Sequence, residues 1–178
     1  MNLGIIATRY ARAIYEYAAV NSCETAIYKE MNVLNQNFEK FPNLQKALID
    51  PTVTNDKKIK LLLTACGIKI NPVLEKSIAM IVENGRADYM ANIALKYVEL
   101  YRKAKSITIV SLTTVDTSGE EIEKALLDII PKKENDTIEF HTKDDSSIIG
   151  GFVLEIGDKR MDASVKTQLN QLKLDLTD

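Results

Sequence analysis

Few side chains in this 178-residue chain combine the type and spacing that chemistry requires. His141 is the only histidine; its neighbours Phe140 and Thr142 read as strand, and no second histidine exists to share a metal ion. Asp144 and Asp145 are adjacent carboxylates of the kind that general acid–base catalysis uses. They stand beside Ser146 and Ser147, however, a composition that suits a solvated turn. Cys23 and Cys66 match no metal or redox spacing and read as reduced thiols of a cytosolic protein. Gly150-Gly151 lacks the further glycines, or the Gly-Lys-Ser/Thr step, of a phosphate-cradling loop. No serine occupies a G-x-S-x-G elbow, and Lys57, Lys58 and Lys60 fit an exposed helix face. The chain therefore reads as non-enzymatic, with no catalytic residue, cofactor or metal. The rival reading is a small enzyme built on His141 and its neighbouring acids, and His141→Ala tests it.

Composition narrows the class further. Hydrophobic residues make up 46% of the chain, enough for a buried core. No apolar run approaches the roughly 20 residues that span a bilayer, and Thr8, Arg9 and Arg12 interrupt any secretion signal at the N-terminus. The net charge of -2 hides a split: 15 Lys/Arg against 10 Asp/Glu up to Lys105, then 8 against 15 from Ser106 onward. Two units with different partners account for that asymmetry better than nucleic-acid binding does, since there is no Trp and no basic-aromatic stripe.

The elements that must position any site follow from periodicity. Ile5 to Val20 reads as a first helix. Ser22 is the expected cap of a second, with Ile27, Met31, Leu34, Phe38 and Phe41 as its core and Pro42 as its stop. A short helix from Asn43 to Ile49 ends at Asp50-Pro51. Thr54 caps a fourth, bearing Ile59, Leu62, Leu63 and Cys66 and closed by Gly67. Asn71-Pro72 opens a nearly apolar fifth that Asn84-Gly85 ends, and a sixth runs from about Asp88 to Lys105. Beyond Ser106 the grammar changes. Ile107–Val115 is β-branched strand, Ser118 and Glu121 form a capping box for a helix stopped by Pro131, and Ile138–Thr142 alternates as strand. Phe152, Leu154 and Ile156 alternate with Val153 and Glu155, Gly157-Asp158 turns the chain, and Arg160–Ser164 returns antiparallel. Ser164 then caps a helix on which Val165, Leu169, Leu172 and Leu176 repeat.

The expectation is an α+β protein, predominantly α: a six-helix bundle over 1–105, then a small α/β domain over 106–178 in the order β-α-β-β-β-α. The first helix carries a surplus. Its polar side chains Thr8, Arg9, Arg12 and Glu16 share one narrow sector, leaving an apolar arc of roughly 220° where a surface helix needs little more than about 100°. Either the helix is central to its own bundle, or a partner covers one side. Tyr10 and Tyr17, amphipathic residues suited to interfaces, lie in that arc.

Three stretches resemble the delta subunit family of F-type ATP synthases, which includes the mitochondrial oligomycin-sensitivity-conferring protein. Arg9, Tyr10, Ala11, Ala13 and Ala18 are similar to its first-helix motif, and Glu83-Asn84-Gly85-Arg86 to the end of its fifth helix. Ile138, Phe140, Asp145, Ile148, Gly150, Gly151, Phe152, Leu154, Glu155 and Gly157 follow its C-terminal signature, with Asp162 and Ser164 beyond. Asp144 departs from it, standing where the family usually has an apolar residue or threonine. The resemblance implies a mechanical stator element on the cytoplasmic face of the cell inner membrane, a peripheral component without membrane insertion. In it the N-terminal domain grips N-terminal helices of the alpha subunit, through Ile6, Tyr10, Ala13, Ile14 and Tyr17 of the first helix and Ile78, Ile81 and Val82 of the fifth. The C-terminal domain meets the end of the b subunits. The alternative is a generic helical adaptor for another amphipathic helix, which would not require the C-terminal signature.

Overall fold

The computed structural model describes residues 3–115, 137–157 and 159–176. Its elements are mostly helical with one small four-stranded sheet, and they separate into two compact units, Met1–Ala104 and Lys105–Asp178.

The first unit holds α1 (Leu3–Val20), α2 (Glu24–Lys40), α3 (Pro42–Ile49), α4 (Asn55–Cys66), α5 (Pro72–Glu83) and α6 (Met90–Ala104), with a 3-10 turn at Ala87–Tyr89. Local chemistry sets the boundaries. Pro42 and Pro72 occupy first-turn positions, where a missing N–H costs nothing, and the Asn71 side chain accepts the Val73 N–H at 2.9 Å. Ser22 does not cap α2 as its type suggests; Cys23 holds that position and makes no side-chain cap. Ser22 instead closes α1. With φ at +52° it sits in the left-handed region, its N–H donating to Ala19 O and that of Cys23 to Ala18 O. This is a Schellman closure with serine where glycine is usual.

The core of this unit runs along α6. Tyr97, Met90, Ile93 and Ala94 are fully buried, against Ile27, Met31 and Leu34 of α2 and the alanines Ala7, Ala11 and Ala18 of α1. Alanine on α1 lets the two backbones approach closely. Tyr28 and Tyr101 stack with centroids 4.2 Å apart, and Arg102 Nε donates to Tyr28 Oη at 2.9 Å. Tyr97 Oη donates to Glu24 O, and burial pushes the Tyr97 phenol well above its ordinary range. Phe41, expected in the core, is exposed: α2 stops at Lys40, and Phe41 turns outward between α2 and α3.

The second unit contains β1 (Ile107–Thr114), β2 (Thr137–Asp144), β3 (Phe152–Ile156), β4 (Lys159–Asp162) and α7 (Val165–Asp175). The helix expected between Ser118 and Ile130 lies outside the described residues. Sheet order is β2-β1-β3-β4, with β1 parallel to β2 and antiparallel to β3, and β4 antiparallel to β3. The register puts Val110, Leu112, Ile138, Phe140, Phe152, Leu154 and Ile156 together as one apolar cluster. The alternate positions set His141, Ser111, Glu155 and Arg160 in a single cross-strand row on the other face.

Candidate functional site

The surplus arc of α1 is not consumed by its own unit. Ala7, Ala11, Ile14 and Ala18 face inward and are buried, so α1 is not a central helix. Ile6 and Tyr10 are half-buried, Ala13 and Tyr17 are exposed, and Val20, at 84%, is nearly free of cover. Ile6, Tyr10, Ala13, Tyr17 and Val20 recur at steps of four, three, four and three, the spacing of a helix–helix seam. Val20 was not among the expected contact residues, though its place three beyond Tyr17 marks it.

Four of the expected contact residues lie beneath the surface in this chain. Ile14, Ile78, Ile81 and Val82 are at most 2% exposed and pack inside the unit, because they occupy the inner face of α1 and of α5. An apolar run long enough to wrap a helix does not say which side is covered. On α5 the exposed apolar side chain is Met80, between Ala79 and Ile81.

The motif at the end of α5 has a clear physical role. Gly85 takes φ +67°, its N–H donates to Val82 O at 2.9 Å, and Arg86 N–H donates to Ile81 O at 3.1 Å. That is a complete Schellman closure, with Asn84 at the C-cap and glycine in the one conformation that disfavours a Cβ. The chain leaves α5 so directed that the Arg86 guanidinium lies 5.4 Å from the centroid of the Tyr10 ring. Two stretches far apart in sequence thus meet as a cation–π pair beside the α1 seam.

The C-terminal signature likewise positions a helix. Gly151 adopts φ +76°, and a Cβ there would collide with the Ala163 carbonyl oxygen; a Cβ at Gly150 would press on Val165. The close approach lets Val165 N–H donate to Gly150 O at 2.9 Å and Ala163 N–H to Phe152 O at 3.0 Å. Asp162 Oδ1 accepts the Ser164 N–H, its Oδ2 accepts the Thr167 hydroxyl, and Ser164 Oγ accepts the Thr167 N–H. These bonds, those to Ser164 first, hold the Asp162 carboxyl below its ordinary range. Gly157, at φ +55°, turns β3 into β4. The N-terminus of α7 is thereby fixed, yet Leu169, Leu172 and Leu176 stay at least half exposed. The expected stripe exists, and it faces solvent.

The residues that could have carried catalysis do not converge. Asp145 Oδ1 accepts the Ser147 N–H and caps the 3-10 turn Ser146–Ile148, which lowers its pKa; Asp144 remains in β2, opposite Thr114. His141 borders a shallow polar recess of about 410 Å³ with Lys143, Glu155 and Arg160, and Arg160 is bridged to Glu155 and Asp162. Burial pushes the Cys66 thiol up to about 12, which withholds the thiolate. Among the described residues no group of three or more His, Cys, Asp or Glu could hold a metal ion, and no helix is long and apolar enough to cross a membrane.

Of the two compact units, one leaves a helix face of α1 open and the other carries a fixed helix with outward leucines. The comparisons give the chain a family. The model of the ATP synthase delta (OSCP) subunit matches residues 6–176. The ATP synthase subunit delta of Azobacteroides pseudotrichonymphae is 48% identical over 97% of this chain and 98% of its own. That of Phocaeicola vulgatus is 34% identical over 97% and 94%. A chain of the Toxoplasma gondii mitochondrial ATP synthase hexamer shares the fold, with a TM-score of 0.65 at 20% identity over 97% of both chains. The chain belongs to the ATP synthase delta (OSCP) family, whose members are structural and non-catalytic subunits of the synthase.

Proposed function

We propose that this chain clamps the catalytic alpha/beta head of an F-type ATP synthase to its membrane-anchored peripheral stalk, so that rotor torque does not spin the head. The supporting observation is the family match across nearly the whole chain, joined to a helix seam on α1 that the first unit leaves open. On this reading the first unit, residues 1–105, docks an N-terminal helix of the alpha subunit on Ile6, Tyr10, Ala13, Tyr17 and Val20, in a helix-on-helix mode. Ile14, Ile78, Ile81 and Val82 support the seam from beneath. Residues 106–178 meet the end of the b subunits. The protein works as a peripheral component at the cytoplasmic face of the cell membrane, without inserting into it.

Ala13→Arg tests the docking face, because it places a charge in the centre of an exposed apolar seam. Calorimetry with the alpha N-terminal peptide is expected to show an affinity at least about tenfold weaker, as for a central interface residue. Circular dichroism should be unchanged. Unchanged affinity would remove α1 from the interface.

A further inference from the structure

Two cations stand beside Tyr10 of the α1 seam. Arg9 is exposed, and sits on the outer margin of the apolar stripe, one residue from Tyr10. Arg86, delivered by the closure of α5, lies over the Tyr10 ring at 5.4 Å from its centroid. Among the described residues neither guanidinium has a carboxylate partner, whereas the nearby Arg12 is paired with Glu16 at 3.2 Å. The unit around them carries an excess of basic residues, 15 against 10 up to Lys105. An arginine held over an aromatic face keeps its edge N–H groups directed outward, in the fork that matches a carboxylate.

We infer that Arg9 and Arg86 form a two-sided fork that selects an acidic amphipathic helix, one whose apolar seam is bordered by Asp or Glu at the level of Tyr10. Apolar burial along Ile6, Tyr10, Ala13, Tyr17 and Val20 holds the helix. The fork fixes its register, and disfavours helices bordered by lysine, because like charges would meet at Tyr10. The inference rests on the proposed use of α1 as a docking face, and gives that face its charge specificity.

The test uses the full chain and four peptides: the alpha-subunit N-terminal segment, the same segment with its Asp and Glu changed to Asn and Gln, and two designed helices with one apolar seam bordered by Glu or by Lys. Binding is measured by calorimetry at low and high salt for the wild type and for Arg9→Gln, Arg86→Gln, Arg86→Lys and Arg12→Gln. Each of Arg9→Gln and Arg86→Gln should weaken the acidic peptides about threefold to tenfold, the range of partly exposed charge pairs, and leave neutralised peptides unaffected. Arg86→Lys should recover part of the loss, while Arg12→Gln, already paired with Glu16, should change binding less than either. Equal affinity for the acidic and neutralised alpha segments overturns the fork while sparing the docking face. Binding of the Glu-bordered helix without the alpha segment overturns the proposed partner while sparing the fork. Failure of the wild type to prefer the Glu-bordered helix over the Lys-bordered one overturns the fork whatever the partner.

Discussion

Backbone sign governs two residues more strongly than side-chain chemistry does. Gly151 needs a positive φ and also has the Ala163 carbonyl where a Cβ would go. Gly151→Ala should therefore destabilise the chain by about 2–4 kcal/mol, at the severe end for one added methyl, as read by urea unfolding. Ser22 is the converse case. It already carries φ +52° at the end of α1 with an exposed side chain, so Ser22→Gly should stabilise by about 0.5–1 kcal/mol. Glu30 supplies the pH test. Burial raises its pKa despite the Asn71 N–H that its Oε1 accepts at 2.9 Å, and its other oxygen is buried without a partner. A raised folded pKa means that the protonated form folds better. Its contribution is complete below the ordinary value of 4.5 and declines as pH rises through the elevated folded value. Glu30→Gln keeps the acceptor for Asn71, so it should remove that decline and gain up to about 1 kcal/mol at neutral pH, the group being only partly withdrawn from water. Unfolding midpoints on either side of pH 4.5 would show it.

Among the elements, α1 and α7 show where periodicity stops being informative. The repeat on each was legible in the sequence, as were the start of α5 at Asn71-Pro72, its end at Asn84-Gly85 and the Ser164 cap. What periodicity does not carry is which apolar side is covered. On α1 and α5 several residues expected at an interface are buried; on α7 the repeating leucines are exposed. A helix with apolar side chains over most of its circumference satisfies both assignments equally, and only the positions of its neighbours decide. The pairing of Arg86 with Tyr10 was hidden for the same reason, since nothing local joins the end of α5 to the middle of α1. The energetic consequence is testable on α7. Leu169→Gln and Leu172→Gln should each cost less than about 0.5 kcal/mol, whereas Leu154→Ala, from the sheet core, should cost about 2–4 kcal/mol. Comparable losses at all three would mean that the α7 leucines are buried when the protein is in solution.

At the scale of the whole molecule, the sequence shows a charge break at Ser106, and the structure divides at Lys105. The lower half of that division was harder to read, because the sheet joins strands in the order β2-β1-β3-β4, a parallel pair beside antiparallel ones, which no local signal specifies. Two separable units are what a clamp between head and stalk requires, and the non-catalytic account depends on both being needed together. The decisive measurement is reconstitution. Membranes stripped of this subunit, with the stalk and channel in place, are mixed with catalytic heads lacking it, and head retained on the membrane is quantified together with proton-driven ATP synthesis. The account predicts that the full chain restores both, and that residues 1–105 and residues 106–178 restore neither, whether added singly or as an unlinked pair. Heads held equally well without the chain, or coupling restored by either part alone, would contradict it.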